Sequence, residues 1–153
     1  MGTIDNLDRK ILSIITRNAR IASKDVAQVC GVSRAAVHQR IQRMIDVGVI
    51  TGSCYTVAPE VLGYNLCAYV GIRLVRAAAY RDAVAQIEQI PEVVECHVAT
   101  GRYSLLVKLY AHDNDRLKEI VVDHLNAIEG VVETETLLSL EKSFLRNVSV
   151  KVE

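Results

Sequence analysis

The stretch Ser23–Gly52, SKDVAQVCGVSRAAVHQRIQRMIDVGVITG, constrains the fold more than any other part of this 153-residue chain. Two short segments with apolar residues at helical spacing flank Cys30-Gly31-Val32. The second opens on Ser33, a residue type whose side-chain oxygen caps the free backbone N–H groups of a helix start. Gly31 follows the first segment directly, where the chain needs a left-handed backbone position that glycine adopts at little cost. Two short helices joined by such a turn make a helix-turn-helix, which offers its second helix to the major groove of DNA. In that second helix Val37, Ile41, Met44 and Ile45 form an apolar stripe at i, i+4, i+7 and i+8, and Gly48 ends it.

The flanking segments extend this unit. Asp5–Thr16 reads as a first helix, with Leu7, Ile11, Leu12 and Ile15 on one side and Asp5 or Asn6 as its N-cap. Ser23 is expected to cap the next helix, turning Val26, Ala27, Val29 and Cys30 inward. After Gly48, Ile50–Gly52 and Tyr55–Val57 alternate like two short strands of a β-wing. Pro59–Tyr64 is punctuated by Pro59 and Gly63 and reads as a connector. The expected organisation is a winged helix-turn-helix domain over residues 1–58, a linker over 59–65, and a second domain over 66–153.

Beyond the linker the period changes. Strands are expected at Leu66–Val75, Val93–Thr100, Tyr103–Tyr110 and Val131–Leu140, with helices at Tyr80–Ile90 and Asn114–Ile128. The order βαββαβ is the ferredoxin-like split arrangement, so the fold class is α+β. Such a sheet has helices on one face only. Leu105-Leu106-Val107 and Leu137-Leu138 make its strands apolar on both faces. The second face is therefore expected to pack on another copy of the chain, and Phe144–Val152 to add an edge strand to a neighbour.

Charge supports the division. The chain is neutral overall, yet residues 1–52 hold eight Lys/Arg against four Asp/Glu, while the rest holds ten against fourteen. A basic segment beside an acidic one suits a nucleic-acid module joined to a partner domain. No apolar run reaches the roughly 18 residues of a membrane helix. The start is polar by residue 5, so no signal peptide is expected and the chain reads as cytoplasmic. The four cysteines form no CxxC pair and no zinc spacing with histidine, and are expected to be reduced and mostly buried, without metal. There is no G-x-S-x-G, Walker A or G-x-G-x-x-G motif, and none of the four histidines has a nucleophile or orienting carboxylate in a motif. No catalytic residue and no cofactor are expected.

The residues that the apolar stripe leaves outside the third helix are Arg34, His38, Gln39, Gln42 and Arg43, with Ser33 at its start. Arginine reads guanine O6/N7 and glutamine reads adenine N6/N7 in bidentate fashion. Arg40 sits at the stripe's edge, placed for a phosphate or a neighbouring carboxylate. Ser23 and Lys24 complete the expected DNA-facing set. In the second domain, Thr100-Gly101-Arg102-Tyr103-Ser104 offers backbone N–H groups, two hydroxyl side chains and a guanidinium. That kit suits a free amino acid, and it also suits a plain hairpin turn.

Together these residues resemble the Lrp/AsnC (feast/famine) family of prokaryotic transcription regulators. The resemblance rests on Ile4–Arg9, Asn18-Ala19-Arg20, the helix-turn-helix, Gly48–Gly52, Leu62-Gly63-Tyr64, Thr100–Ser104 and Thr134-Glu135-Thr136-Leu137, and so covers nearly the whole chain. Ser104 replaces the aspartate of many members, which looks more like the asparagine-responsive branch. The resemblance implies a homodimer by sheet-on-sheet packing, often a ring octamer, and an amino-acid effector held between dimers. It places the effector at Gly101, Tyr103 and Ser104, with Thr134 and Thr136 contributing from a neighbouring subunit. The expected function is a DNA-binding transcription regulator responding to a small amino acid, asparagine or similar. The rival readings are an ACT-like effector-sensing regulatory subunit of a metabolic enzyme and an effector-independent architectural DNA-binding protein.

Overall fold

A computed structural model of the chain describes residues 4–152. The chain forms two compact units. One takes in the residues up to Thr56 together with the segment from Phe144, and the other spans Val57–Ser143.

The first unit is built on three helices: α1 (Asn6–Ile15), α2 (Ser23–Cys30) and α3 (Arg34–Asp46). Asp5 is the N-cap of α1. Its carboxylate accepts from the Asp8 N–H at 2.7 Å, and the Asp8 carboxylate accepts from the Asp5 N–H at 3.0 Å, closing a reciprocal capping box. Ser33 caps α3 as expected, its Oγ accepting from the Ala36 N–H at 3.1 Å. Gly31 ends α2 at φ +70°, and the Val32 N–H reaches back to the Ala27 carbonyl at 3.1 Å. The α2 cap differs from the sequence expectation. Ala22 occupies the N-cap without a side-chain bond, and Ser23 is the first helical residue. The chain leaves the Asn18–Arg20 turn one residue earlier than serine chemistry suggests.

Ile11, Leu12, Val26, Ala27, Val37 and Met44 form the core of this unit, and each fully buried Leu, Ile or Val contributes about 1.5–3 kcal/mol. Val29 and Ile45, expected inward, are exposed, because three short helices close around only one narrow stripe of each. The two wing strands do not form. Residues 51–58 hold no strand, and no backbone hydrogen bond joins Ile50–Gly52 to Tyr55–Val57. Tyr55 turns instead to Arg20, which donates to its hydroxyl and lies 4.6 Å over its ring.

The end of the chain departs from the expected division. From Phe144 onward it belongs with the helices rather than with the sheet, and it makes no strand among the described residues. Asn147 Nδ2 donates to the Thr16 carbonyl at 3.1 Å, and Val150 packs against the helical core. Thr16 is the C-cap of α1, where carbonyls lack helical partners. An asparagine carboxamide and one apolar contact thus anchor the tail, and neither shows in periodicity.

The second unit opens on a 3-10 turn at Pro59–Leu62. The expected linker is not loose. The Tyr64 ring stacks on His112 at 4.2 Å, His112 Nδ1 bonds the Gly63 carbonyl at 2.8 Å, and Asn65 Nδ2 donates to the Gly63 and His112 carbonyls at 3.1 and 3.2 Å. The sheet follows: β1 (Leu66–Leu74), α4 (Tyr80–Ile87), β2 (Val93–Val98), β3 (Leu105–Ala111), α5 (Asn114–Lys118) and β4 (Val131–Ser139). The strand order is β2-β3-β1-β4 with every neighbour antiparallel, the ferredoxin-like arrangement. The single helix expected over 114–128 is split, since α5 widens into a π-helix at Glu119–Leu125.

Alternation along the two central strands defines the layers. Ala68, Val70, Ile72 and Leu74 of β1 and Leu105, Val107, Leu109 and Ala111 of β3 are buried with Ala83, Ile87, Ile120 and Leu125 of the helices. The opposite face carries Tyr69, Leu106 and Leu137, which stay about half exposed at 46%, 45% and 59%. The cysteines are less buried than expected: Cys30, Cys67 and Cys96 are partly exposed and Cys54 is exposed.

Candidate functional site

Helix α3 owes its orientation to Val37 and Met44, whose side chains are fully enclosed. This fixes the outward face. Arg34, His38, Gln39, Gln42 and Arg43 are all exposed, at i, i+4, i+5, i+8 and i+9. Ser33 is exposed at the helix start, and Ser23 and Lys24 are exposed at the start of α2. Among the described residues, Arg34, His38 and Gln39 spend no side-chain hydrogen bond on the protein, whereas Gln42 donates to Asp46 at 2.9 Å.

Two arginines are committed elsewhere. Arg40 Nη1 reaches Asp5 at 2.6 Å and Asp8 at 2.8 Å, and Arg43 donates to the other Asp8 oxygen. Asp8 is fully enclosed, so this is a buried carboxylate held by two guanidinium groups. Arg40 thus meets carboxylates, one of the two options its edge position leaves open. Arg43 braces α3 against α1, a role that sequence reasoning missed because Asp8 lies 35 residues away. The Arg40 hydrogen bond holds the Asp5 carboxyl at about 2, below its ordinary 3.8. A carboxyl depressed in the folded state stabilises the fold above its unfolded value, and that contribution fades as pH falls from about 4 to 2. Urea midpoints measured across this window are expected to fall less steeply in Asp5→Asn than in the wild type; equal slopes would remove Asp5 from the acid response.

In the other unit, residues 100–104 join β2 to β3. The segment is pinned to β1: the Ser104 N–H donates to the Ile72 carbonyl at 2.9 Å, and the Leu74 N–H donates to Ser104 Oγ at 3.2 Å. Thr100, Gly101 and Arg102 are exposed, while Tyr103 and Ser104 are half-buried. The Tyr103 ring lies against Gly71 in mid-strand, and its hydroxyl is buried with no hydrogen-bond partner among the described residues. Arg102 sits 5.2 Å over that ring and joins an ion cluster sequence reasoning did not single out. Arg73 bonds Glu133 at 2.9 Å, and Arg102 approaches Glu133 at 3.4 Å and Glu135 at 3.6 Å. Arg73 first, and Arg102 after it, lower the Glu133 carboxyl below its usual range.

Thr134 and Thr136 are not brought to this loop within one chain. They pair with Ile72 and Val70, whose side chains face the helices, whereas Glu135 pairs with Gly71 on the opposite face. Thr134 Oγ1 bonds Asn126 Oδ1 at 2.9 Å. A concavity of about 360 Å³ lies elsewhere, lined by Gln86, Gln89, Arg116, Asp123 and His124 among others, and includes none of residues 100–104.

A helix-turn-helix with an exposed polar second helix, followed by a ferredoxin-like domain with a pinned polar loop, defines a DNA-binding regulator carrying its own ligand-binding domain. Comparison with known proteins agrees. Residues 4–51 match the winged helix-turn-helix DNA-binding family and residues 67–148 the Lrp/AsnC ligand binding domain. The regulatory protein AsnC of Escherichia coli strain K12 is 37% identical over 145 residues, spanning 95% of each chain. The solved structure of E. coli AsnC superposes with a TM-score of 0.90 at 36% identity, covering 96% of this chain and 99% of that one. A Neisseria meningitidis regulator in complex with L-methionine shares the fold at 23% identity, with a TM-score of 0.88 over 94% of each chain. The chain belongs to the Lrp/AsnC family: it is a transcription regulator, not an enzyme.

Proposed function

We propose that α3 reads the major groove through Arg34, His38, Gln39 and Gln42, with Ser23, Lys24 and Ser33 on phosphates. The carrying observation is the division of labour on α3: Arg40 and Arg43 are bound to Asp8, while Arg34, His38 and Gln39 keep their donors and acceptors unspent. Arg34→Ala with Gln39→Ala is the direct test, on DNA recovered by selection from a random-sequence library. Each lost bidentate base contact costs about 1–3 kcal/mol, so the pair is expected to weaken binding on the order of a hundredfold and relax sequence preference. Unchanged affinity and preference would remove α3 as the reader.

The second domain, on this reading, binds a small amino acid at Gly101–Ser104 and reports its presence to the DNA reader. The alternating charges of Arg73, Glu133, Arg102 and Glu135 offer partners for both ends of a zwitterion. The L-methionine complex of the Neisseria regulator and the likeness to AsnC make methionine and asparagine the first compounds to try. Thermal shift against the twenty amino acids, each at millimolar concentration, reads the effect: a ligand at about 100 times its Kd stabilises by about 2.7 kcal/mol. If no amino acid raises Tm, the sensing role fails.

The half-exposed Tyr69, Leu106 and Leu137 on the open sheet face support a homodimer formed by packing this face on a second copy, and the octamer of such dimers rests on the family resemblance alone. Thr134 and Thr136 then serve an effector site of a neighbouring subunit. The protein would work in the cytoplasm beside its DNA; among the described residues no helix is long and apolar enough to cross a membrane.

A further inference from the structure

We propose that Gly71, a residue in the middle of β1, is the positioning residue of the effector loop: it seats the Tyr103 ring so that the enclosed phenol hydroxyl is presented to the bound amino acid. The proposal rests on the reading of residues 100–104 as the effector loop. Glycine in a strand interior weakens the strand and often marks a place where another group approaches closely. Here the approaching group is the Tyr103 ring. A Cβ built on Gly71 would stand 2.7 Å from Tyr103 Cγ and Cδ2 and 2.8 Å from Cε2.

The ring cannot retreat by sliding its backbone. The next residue is tied to β1 twice, through the Ser104 N–H to the Ile72 carbonyl and through Ser104 Oγ from the Leu74 N–H. A side chain at position 71 therefore forces the ring to rotate off the sheet, and the hydroxyl goes with it. The hydroxyl itself is the second observation. It is buried, and among the described residues it has no hydrogen-bond partner. Burying a hydroxyl unpaired costs about 1–3 kcal/mol, and phenylalanine would fill the same space without that cost. Packing alone does not account for the oxygen, whereas a ligand group that pairs with it does. The Arg102 guanidinium lies 5.2 Å over the centre of the same ring.

Full-length wild type, Gly71→Ala, Tyr103→Phe and Gly71→Ala with Tyr103→Ala are compared by thermal shift and effector titration with each of the twenty amino acids, and by DNA affinity without effector. Tyr103→Phe is expected to match or exceed the wild-type Tm, since the unpaired buried hydroxyl is gone, and to keep basal DNA affinity, while the effector midpoint rises at least tenfold. Gly71→Ala is expected to lose Tm and effector response together. The double variant relieves the clash but loses the ring as well, so it is expected to stay below the wild-type Tm and to lack the response, and Tyr103→Phe is the variant that separates the hydroxyl's role from stability. A wild-type effector midpoint in Tyr103→Phe or Gly71→Ala overturns the proposal. So does a changed oligomeric state in Tyr103→Phe with the response intact, because the hydroxyl then serves a subunit contact. If the wild type responds to no amino acid, the effector-loop reading fails first and takes this inference with it.

Discussion

Arg40→Ala combined with Arg43→Ala is expected to cost about 3–5 kcal/mol of stability. The cause is Asp8. Its side chain is fully enclosed, and both of its carboxylate oxygens are claimed by these two arginines. Removing the arginines leaves a buried carboxyl group whose remaining hydrogen-bond partner among the described residues is the Asp5 N–H. Against a typical total of about 5–15 kcal/mol, that loss takes the first unit close to unfolding. The converse change is milder. Asp8→Ala leaves arginines whose side chains are 29% and 49% exposed and free to re-enter water. The triple variant lacking all three charges is therefore expected to be more stable than the double one, with a coupling of about 0.5–3 kcal/mol. Urea denaturation of the four proteins decides it: if the double and triple variants unfold together, the buried charge is not the source of the loss. The series also shows why Arg43→Ala is a poor probe of DNA reading, since it disturbs the brace under α3 as well as the exposed face proposed to meet DNA.

Leu109→Ala is expected to destabilise the sheet unit by about 2–5 kcal/mol. Leu109 is fully buried in β3, a central strand, opposite Ala68 of β1 and Val93 of β2. Its helix-side neighbours pack at crystal-like density and cannot collapse far into the space left behind. For a unit of this size the fall in Tm is on the order of 10–30 °C. The helical unit has its own core of Ile11, Leu12, Val26, Ala27, Val37 and Met44. Native-state hydrogen exchange is therefore expected to show lost protection in β1 and β3 with α1–α3 amides little changed. Equal loss in both sets would mean that the units unfold as one.

The parts of this fold that were legible in the sequence are those governed by local chemistry. Ser33 and Gly31 mark the turn because capping and a left-handed backbone are decided within three or four residues. The change of period beyond the connector located β1 and β3, and the element order then dictated the sheet topology. What escaped is long-range or compensating. The Asp8 brace joins residues 32 and 35 positions apart. Tyr103 finds Gly71 only once β1 and β3 are paired, although the lone glycine inside an apolar strand was a cue to close approach. The tail looked like a strand because Phe144–Val152 is apolar and extended in pattern, yet one carboxamide and one valine decide where it goes. The wing strands failed for the opposite reason: alternation was present, but Tyr55 found Arg20 instead of a cross-strand partner.

The docked tail has a consequence for anyone wishing to rewire this protein. The DNA-reading module is discontinuous in sequence, interrupted by the whole of Val57–Ser143. A chimera made by one cut near residue 58 would carry the three helices but leave Asn147 and Val150 behind on the discarded half. A faithful graft treats the sheet domain as an insert and joins a new sensor at two places, one ahead of Val57 and one after Ser143. Any replacement sensor must therefore bring its own ends back to two attachment points, and that requirement limits which domains can stand in for this one.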